Sequence, residues 1–129
     1  MKYENDALET KLEQDAIHAY DRCIADLRST HDNLRFFRWK VLNYGAQHTI
    51  PYEIGTQMRT DADNEMEEID RRIAVVLKVQ NHMIRESLKR RGMWTEDMDE
   101  EDDTPVPSQA EIDEADRLVD ELEKAASPG

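Results

Sequence analysis

The chain has a single cysteine, Cys23. No internal disulfide can staple it, and a lone thiol favours a reducing compartment. Glycine and proline are also scarce, four of each in 129 residues, while charged residues make up 36%. That composition suits long helices better than sheet. There is no Gly-rich phosphate loop and no Cys/His zinc spacing, so the familiar motifs for phosphate or structural zinc are missing. Long apolar runs are missing too. The longest is Ile73-Ala-Val-Val-Leu77, whereas a bilayer span needs roughly 20 residues. The opening Met1-Lys-Tyr-Glu-Asn-Asp6 is polar and acidic, unlike a secretory leader. The expectation is a protein without a membrane partner, cytoplasmic in a cell or in an infected host cell.

What the chain has in excess is negative charge, unevenly placed. Of the net −13, residues 95–129 carry −12, with fourteen Asp and Glu against Arg117 and Lys124. Residues 35–94 run slightly positive, eleven Lys and Arg against eight acids, and residues 1–34 contribute −4. The acidity therefore belongs to a tail joined to a nearly neutral body, residues 1–94. A tail this acidic repels polyanions, so no direct nucleic-acid binding is expected of it.

In the body, Tyr20, Cys23, Leu27, Thr30, Leu34, Phe37, Val41 and Tyr44 recur at spacings of three and four. All but Thr30 are apolar, and the phase holds through the turn-prone Ser29–Asn33 stretch. One helix is expected from about residue 5 to 44. A second stripe, Ala62, Met66, Ile69, Ile73, Val76, Gln80, Met83 and Ser87, predicts a helix over about 58–91. Between them Gly45 suits a helix C-cap, Pro51 cannot continue a helix, and Gly55 reads as a second bend. Lys89-Arg-Arg-Gly92 supplies basic residues and a stop for the second helix. The short connection makes the two helices antiparallel neighbours. Leu77, Ile84 and Leu88 widen the second stripe, as Ile17 and Ile24 widen the first. Stripes wider than a coiled-coil seam belong to bundle helices. A hairpin of this size leaves much of them open, so a homodimer forming a four-helix bundle, or a higher homo-oligomer, is expected.

Residues 95–107 combine a run of acids with Pro105 and Pro107 and read as an extended, solvated linker. Ser108-Gln-Ala-Glu111 is a capping-box pattern. It precedes Ile112, Ala115, Val119, Leu122 and Ala126 at 3-4 spacing, with Leu118 broadening the stripe. A short amphipathic helix is expected over 109–126. In isolation it would be marginal, so it needs a surface, on this body or on a partner. The fold class is thus mainly α: a long antiparallel hairpin, an acidic linker and a short C-terminal amphipathic helix.

Candidate chemistry is thin. Asp15-x-x-His18 and His82-x-x-x-Glu86 each put two ligand types on one helical face, but both histidines fall outside the apolar seams. The paired Glu-x-x-His motifs of di-iron bundles are absent. Glu65-x-x-Glu68 with Glu96-x-x-Asp99 resembles the magnesium-holding carboxylate pattern of all-α nucleotide pyrophosphatases. The second pair, however, lies in the acidic run, where such spacings arise by chance and no fixed metal geometry can be held. Cys23 sits on the seam, where a thiol is a small buried hydrophobe. No catalytic residue, metal or cofactor is assigned.

Two groups stand out as partner-binding. Arg35-Phe-Phe-Arg-Trp-Lys40 places Phe36 and Trp39 away from the seam among Arg35, Arg38 and Lys40, a mixture enriched in interface hot spots. Packing against the 46–55 connection or a dimer mate is the plainer reading of the two aromatics. The third helix offers Ile112, Leu118, Val119 and Leu122. The leading expectation is a non-enzymatic adaptor, assembly factor or inhibitor of another protein, working through a helical oligomer and an acidic arm. The alternatives are an acidic nucleic-acid mimic that blocks a DNA- or RNA-binding protein and a helical nucleotide pyrophosphohydrolase. Small size, acidity and helix resemble phage-encoded inhibitors and assembly helpers, a likeness that no motif carries.

Overall fold

The computed structural model describes the backbone of residues 2–93 and 105–126 and the side chains of residues 11–93 and 105–125. Among these there are three helices and no strand: α1 Lys2–Ala46, α2 Tyr52–Arg90 and α3 Gln109–Ala126. The chain is mainly α, as its composition and periodicity indicate. Most of the acidic linker lies outside the described residues. At its end Pro107 is buried and Val106 is exposed. Two compact units divide the chain, Met1–Ile24 with Ala74–Gly129 as unit 1 and Ala25–Ile73 as unit 2.

Unit 2 is an antiparallel helix pair. Arg38 Nε donates to Asp63 Oδ1 at 2.7 Å, and His31 Nε2 lies 3.4 Å from Asp70 Oδ1. The two pairs step by seven residues on each helix, so one register runs through both. Val41, Ala62 and Ile69 are buried. The ion pairs are largely solvated, worth about 1 kcal/mol or less each; apolar burial sets the packing.

The turn differs from the sequence reading at both glycines. α1 ends in a Schellman-type arrangement, with Thr49 N donating to Tyr44 O at 2.9 Å and His48 N to Gly45 O at 3.0 Å. The residue in the left-handed region is therefore His48, at φ 58°, while Gly45 stays within the helix. Histidine is among the side chains that tolerate this conformation best. Gly55, expected as a bend, is buried inside the first turns of α2, its N–H donating to Pro51 O at 2.9 Å. A Cβ there would meet Ile50 Cγ2 at 3.7 Å and Val41 Cγ1 at 3.8 Å, ordinary contact distances. Gly55→Ala is accordingly expected to stabilise the protein by about 0.5–1 kcal/mol through helix propensity and a less free unfolded chain. The urea midpoint should rise with an unchanged slope; a fall would mean that the close approach requires glycine.

Unit 1 combines the N-terminal part of α1, the C-terminal part of α2, and α3. Tyr20, Cys23, Ile24, Val75, Val76, Val79, Ala115 and Leu118 are buried there, Val76 and Ala115 completely. Gln80 is buried on the seam with its amide satisfied, donating to Ile17 O at 3.0 Å and to Asp21 Oδ1 at 2.7 Å. A buried amide left unpaired would cost more than its bonds return, so this pairing favours one register. Arg90 pairs with Glu13 across the same two helices. α2 closes as its sequence indicates, at Gly92 with φ 70° and Met93 N donating to Leu88 O at 2.9 Å.

Candidate interaction surface

The apolar side chains that packing leaves outside are concentrated in unit 2. Seven of the ten large hydrophobic side chains exposed among the described residues lie between positions 36 and 54, so this region is a patch and not scattered exposure. Phe36 and Trp39, three residues apart on one turn of α1, stack with ring centroids 5.9 Å apart and planes at 16°. Lys40 Nζ sits 4.7 Å above the Phe36 ring, within cation–π range.

Both aromatics remain more than half exposed, at 55% and 56%. The connection to α2 therefore leaves them open. Arg35 and Lys40 are exposed as well, whereas Arg38 is half-buried and engaged by Asp63. Helical periodicity separates the patch into two flanks, because residues seven or three apart share a side while those two apart do not. Phe37 and Tyr44 occupy one flank. Trp39 and Leu42 occupy the other, and Leu42 lines a cleft of about 550 Å³ together with Val41, Ile50, Pro51, Tyr52 and Arg59 among others. Leu42, Tyr52 and Ile54 were not singled out from sequence. The signal was present in Ile50-Pro-Tyr-Glu-Ile54, an apolar cluster inside a segment read only as a turn.

The second expected group is placed differently. Leu118 is buried within unit 1, while Ile112, Val119 and Leu122 are half-buried. Among the two surfaces allowed for the third helix, the structure has it on its own chain. The capping box forms: Ser108 N donates to Glu111 Oε1 at 3.0 Å, and Glu111 N donates to Ser108 Oγ at 3.2 Å. Lys78 Nζ donates to both Glu111 oxygens, at 2.9 and 3.0 Å. The Ser108 backbone N–H and then Lys78 hold the Glu111 carboxyl below its ordinary range. Tyr20 Oη donates to Asp116 Oδ1 at 2.5 Å, and burial of the phenol, followed by that bond and the Asp116 charge, pushes Tyr20 above its ordinary value.

These shifts have opposite signs. A carboxyl lowered in the folded state stabilises above its unfolded pKa, and the contribution is lost as pH falls through the lowered value. The phenol's contribution is full below its ordinary pKa and is lost as pH rises beyond it. Glu111→Gln is therefore expected to reduce stability at neutral pH and to match the unmodified chain once both are acidified below the carboxyl's lowered range. Urea midpoints across the acid range check this; a constant difference would show that the charge is not what matters.

The other polar candidates have structural occupations. Arg71, and then Arg72, hold Glu68 at about 2. Its proposed counterparts Glu96 and Asp99 lie outside the described residues. His82 Nδ1 is 3.1 Å from Arg85 Nη2, and a guanidinium there opposes a metal cation. His18 is exposed. Among the described residues no three His, Cys, Asp or Glu side chains converge as metal ligands, and no helix is long and apolar enough to cross a membrane. No family model, curated protein or solved structure matches the chain.

Proposed function

We propose that this chain is a protein-interaction module, acting without catalysis as an adaptor, assembly factor or inhibitor of another protein. The contact surface is the α1–α2 turn of unit 2. The observation that carries this reading is the concentration of exposed aromatic and aliphatic side chains at residues 36–54. Apolar patches rimmed by polar groups mark interaction sites, and Trp, Tyr and Arg dominate their energetics. Self-association belongs to the same reading. Phe37 and Tyr44 continue the inward stripe of α1 yet stay 41% and 46% exposed, so a second copy on that flank completes their burial.

The test is a double substitution, Phe36→Ala with Trp39→Ala. Both side chains are more than half exposed, so helical circular dichroism should be retained. Capture of a partner from native lysate should weaken, while self-association through the Phe37 flank, followed by sedimentation, should persist. Unchanged capture would overturn the proposal.

A further inference from the structure

We propose that the Trp39 flank of this turn binds an acidic amphipathic helix of another protein, whose apolar stripe enters the cleft beside Leu42 and Tyr52. The inference rests on the reading of residues 36–54 as an interaction surface and adds what occupies it. The cleft, about 550 Å³, is in the size range of sites that enclose ligand groups. Tyr52 at its edge is 80% exposed and Leu42 is 47% exposed. Trp39 does not line the cleft but lies one turn before Leu42 on the same side of α1, so a helix seated on Leu42 can reach both.

Charge selects the occupant. Residues 34–63 hold Arg35, Arg38, Lys40 and Arg59 against Glu53, Asp61 and Asp63, a formal +1 in a chain whose total is −13. Arg38 is neutralised by Asp63. Arg35 lies one turn from Trp39 on the same side of the helix, and Arg59 lines the cleft. The surface is thus apolar with cationic edges. Its complement carries apolar side chains at i, i+3 and i+4 with carboxylates beside them, the helix-in-groove mode of recognition.

Two other occupants fit less well. A single-stranded nucleic acid needs open ring faces and uncommitted cations. Here Phe36 and Trp39 stack on each other and Lys40 lies over Phe36. A second copy using this same flank would bring Arg35 and Arg59 against their like, since symmetric contacts pair identical patches.

The experiment is selection of a displayed library of random peptides, each long enough for several helical turns, on the full chain. Recovered peptides should be rich in Asp and Glu with apolar residues at helical spacing. As synthetic peptides they should lose about tenfold in affinity to Trp39→Ala, to Tyr52→Ala and to Arg35→Glu, the loss of one hot-spot contact. Circular dichroism of each variant should be unchanged. A thymidine oligonucleotide serves as competitor. Recovery of basic or uncharged peptides, indifference to all three substitutions, or displacement by the oligonucleotide would overturn the inference. So would dissolution of a self-dimer by Trp39→Ala. If selection yields no peptide while capture in the Phe36/Trp39 test still weakens, this inference fails and the interaction reading stands. If neither responds, both fail.

Discussion

Leu118→Asp is expected to destabilise unit 1 by about 3 kcal/mol and to melt α3 while unit 2 keeps its fold. Leu118 is 6% exposed, and its neighbour one turn earlier, Ala115, is fully buried. Burying a leucine contributes about 1.5–3 kcal/mol, and a carboxylate in its place adds the cost of desolvating a charge. The total has a ceiling, because α3 can leave: the loss cannot exceed the free energy that docks it. Once released, an 18-residue helix is near the length at which isolated helices are marginal in water, so it should unfold. Hydrogen exchange gives the readout. Amide protection over residues 109–126 should vanish, with protection over residues 25–73 retained. Loss of protection in both units would make α3 part of a single cooperative core, and no loss in α3 would show that Leu118 does not hold it.

The experiment addresses what the sequence left open. The stripe of α3, its capping box and its limits, residues 109 to 126, are all legible from spacing, because an amphipathic pattern and a reciprocal Ser–Glu cap are local properties. Which surface the stripe covers is a property of the whole chain. The same distinction explains Val75 and Val79. Both are buried, yet neither lies on the seam read for the second helix. Two-helix periodicity has no place for them, whereas Val79 shares a cleft in unit 1 with Ile112 and Asp116 of α3.

Turn chemistry was legible only by residue type. Gly92 takes the left-handed conformation expected of it, but Gly45 does not and His48 does. A Schellman ending needs one residue of positive φ, and its position follows from where the chain must reverse. Gly55 looked like a bend because glycine punctuates turns and Pro51 stands a few residues before it. In the fold it lies within the first turns of α2, near Val41 and Ile50 but with room for a methyl group. For the candidate surface, the outward placement of Phe36 and Trp39 follows from helical phase. Their remaining uncovered, and the joining of Leu42 and Tyr52 into a cleft, depend on the path of the turn.

Two positions that the pattern treats alike should respond in opposite ways. Val76 and Phe37 are both stripe residues, but Val76 is fully buried in unit 1 while Phe37 keeps 41% of its surface exposed in unit 2. Val76→Asp places a carboxylate where no water reaches, with both the transfer term of valine lost and the charge desolvated. The expected cost is about 4 kcal/mol or more. Against the roughly 5–15 kcal/mol that holds a small domain together, such a change removes a large share of the stability of unit 1. Phe37→Asp leaves the new charge in contact with solvent and removes only part of a buried ring, a cost of about 1 kcal/mol to the fold of the chain. Its larger effect should fall on self-association, since a carboxylate would replace an apolar ring on the flank proposed to meet the second copy. Urea unfolding separates the stability effects, and sedimentation of Phe37→Asp reads the second. Equal destabilisation by the two substitutions would place Phe37 in the core and remove that flank from the interaction surface. Retained self-association in Phe37→Asp would move the contact between copies elsewhere.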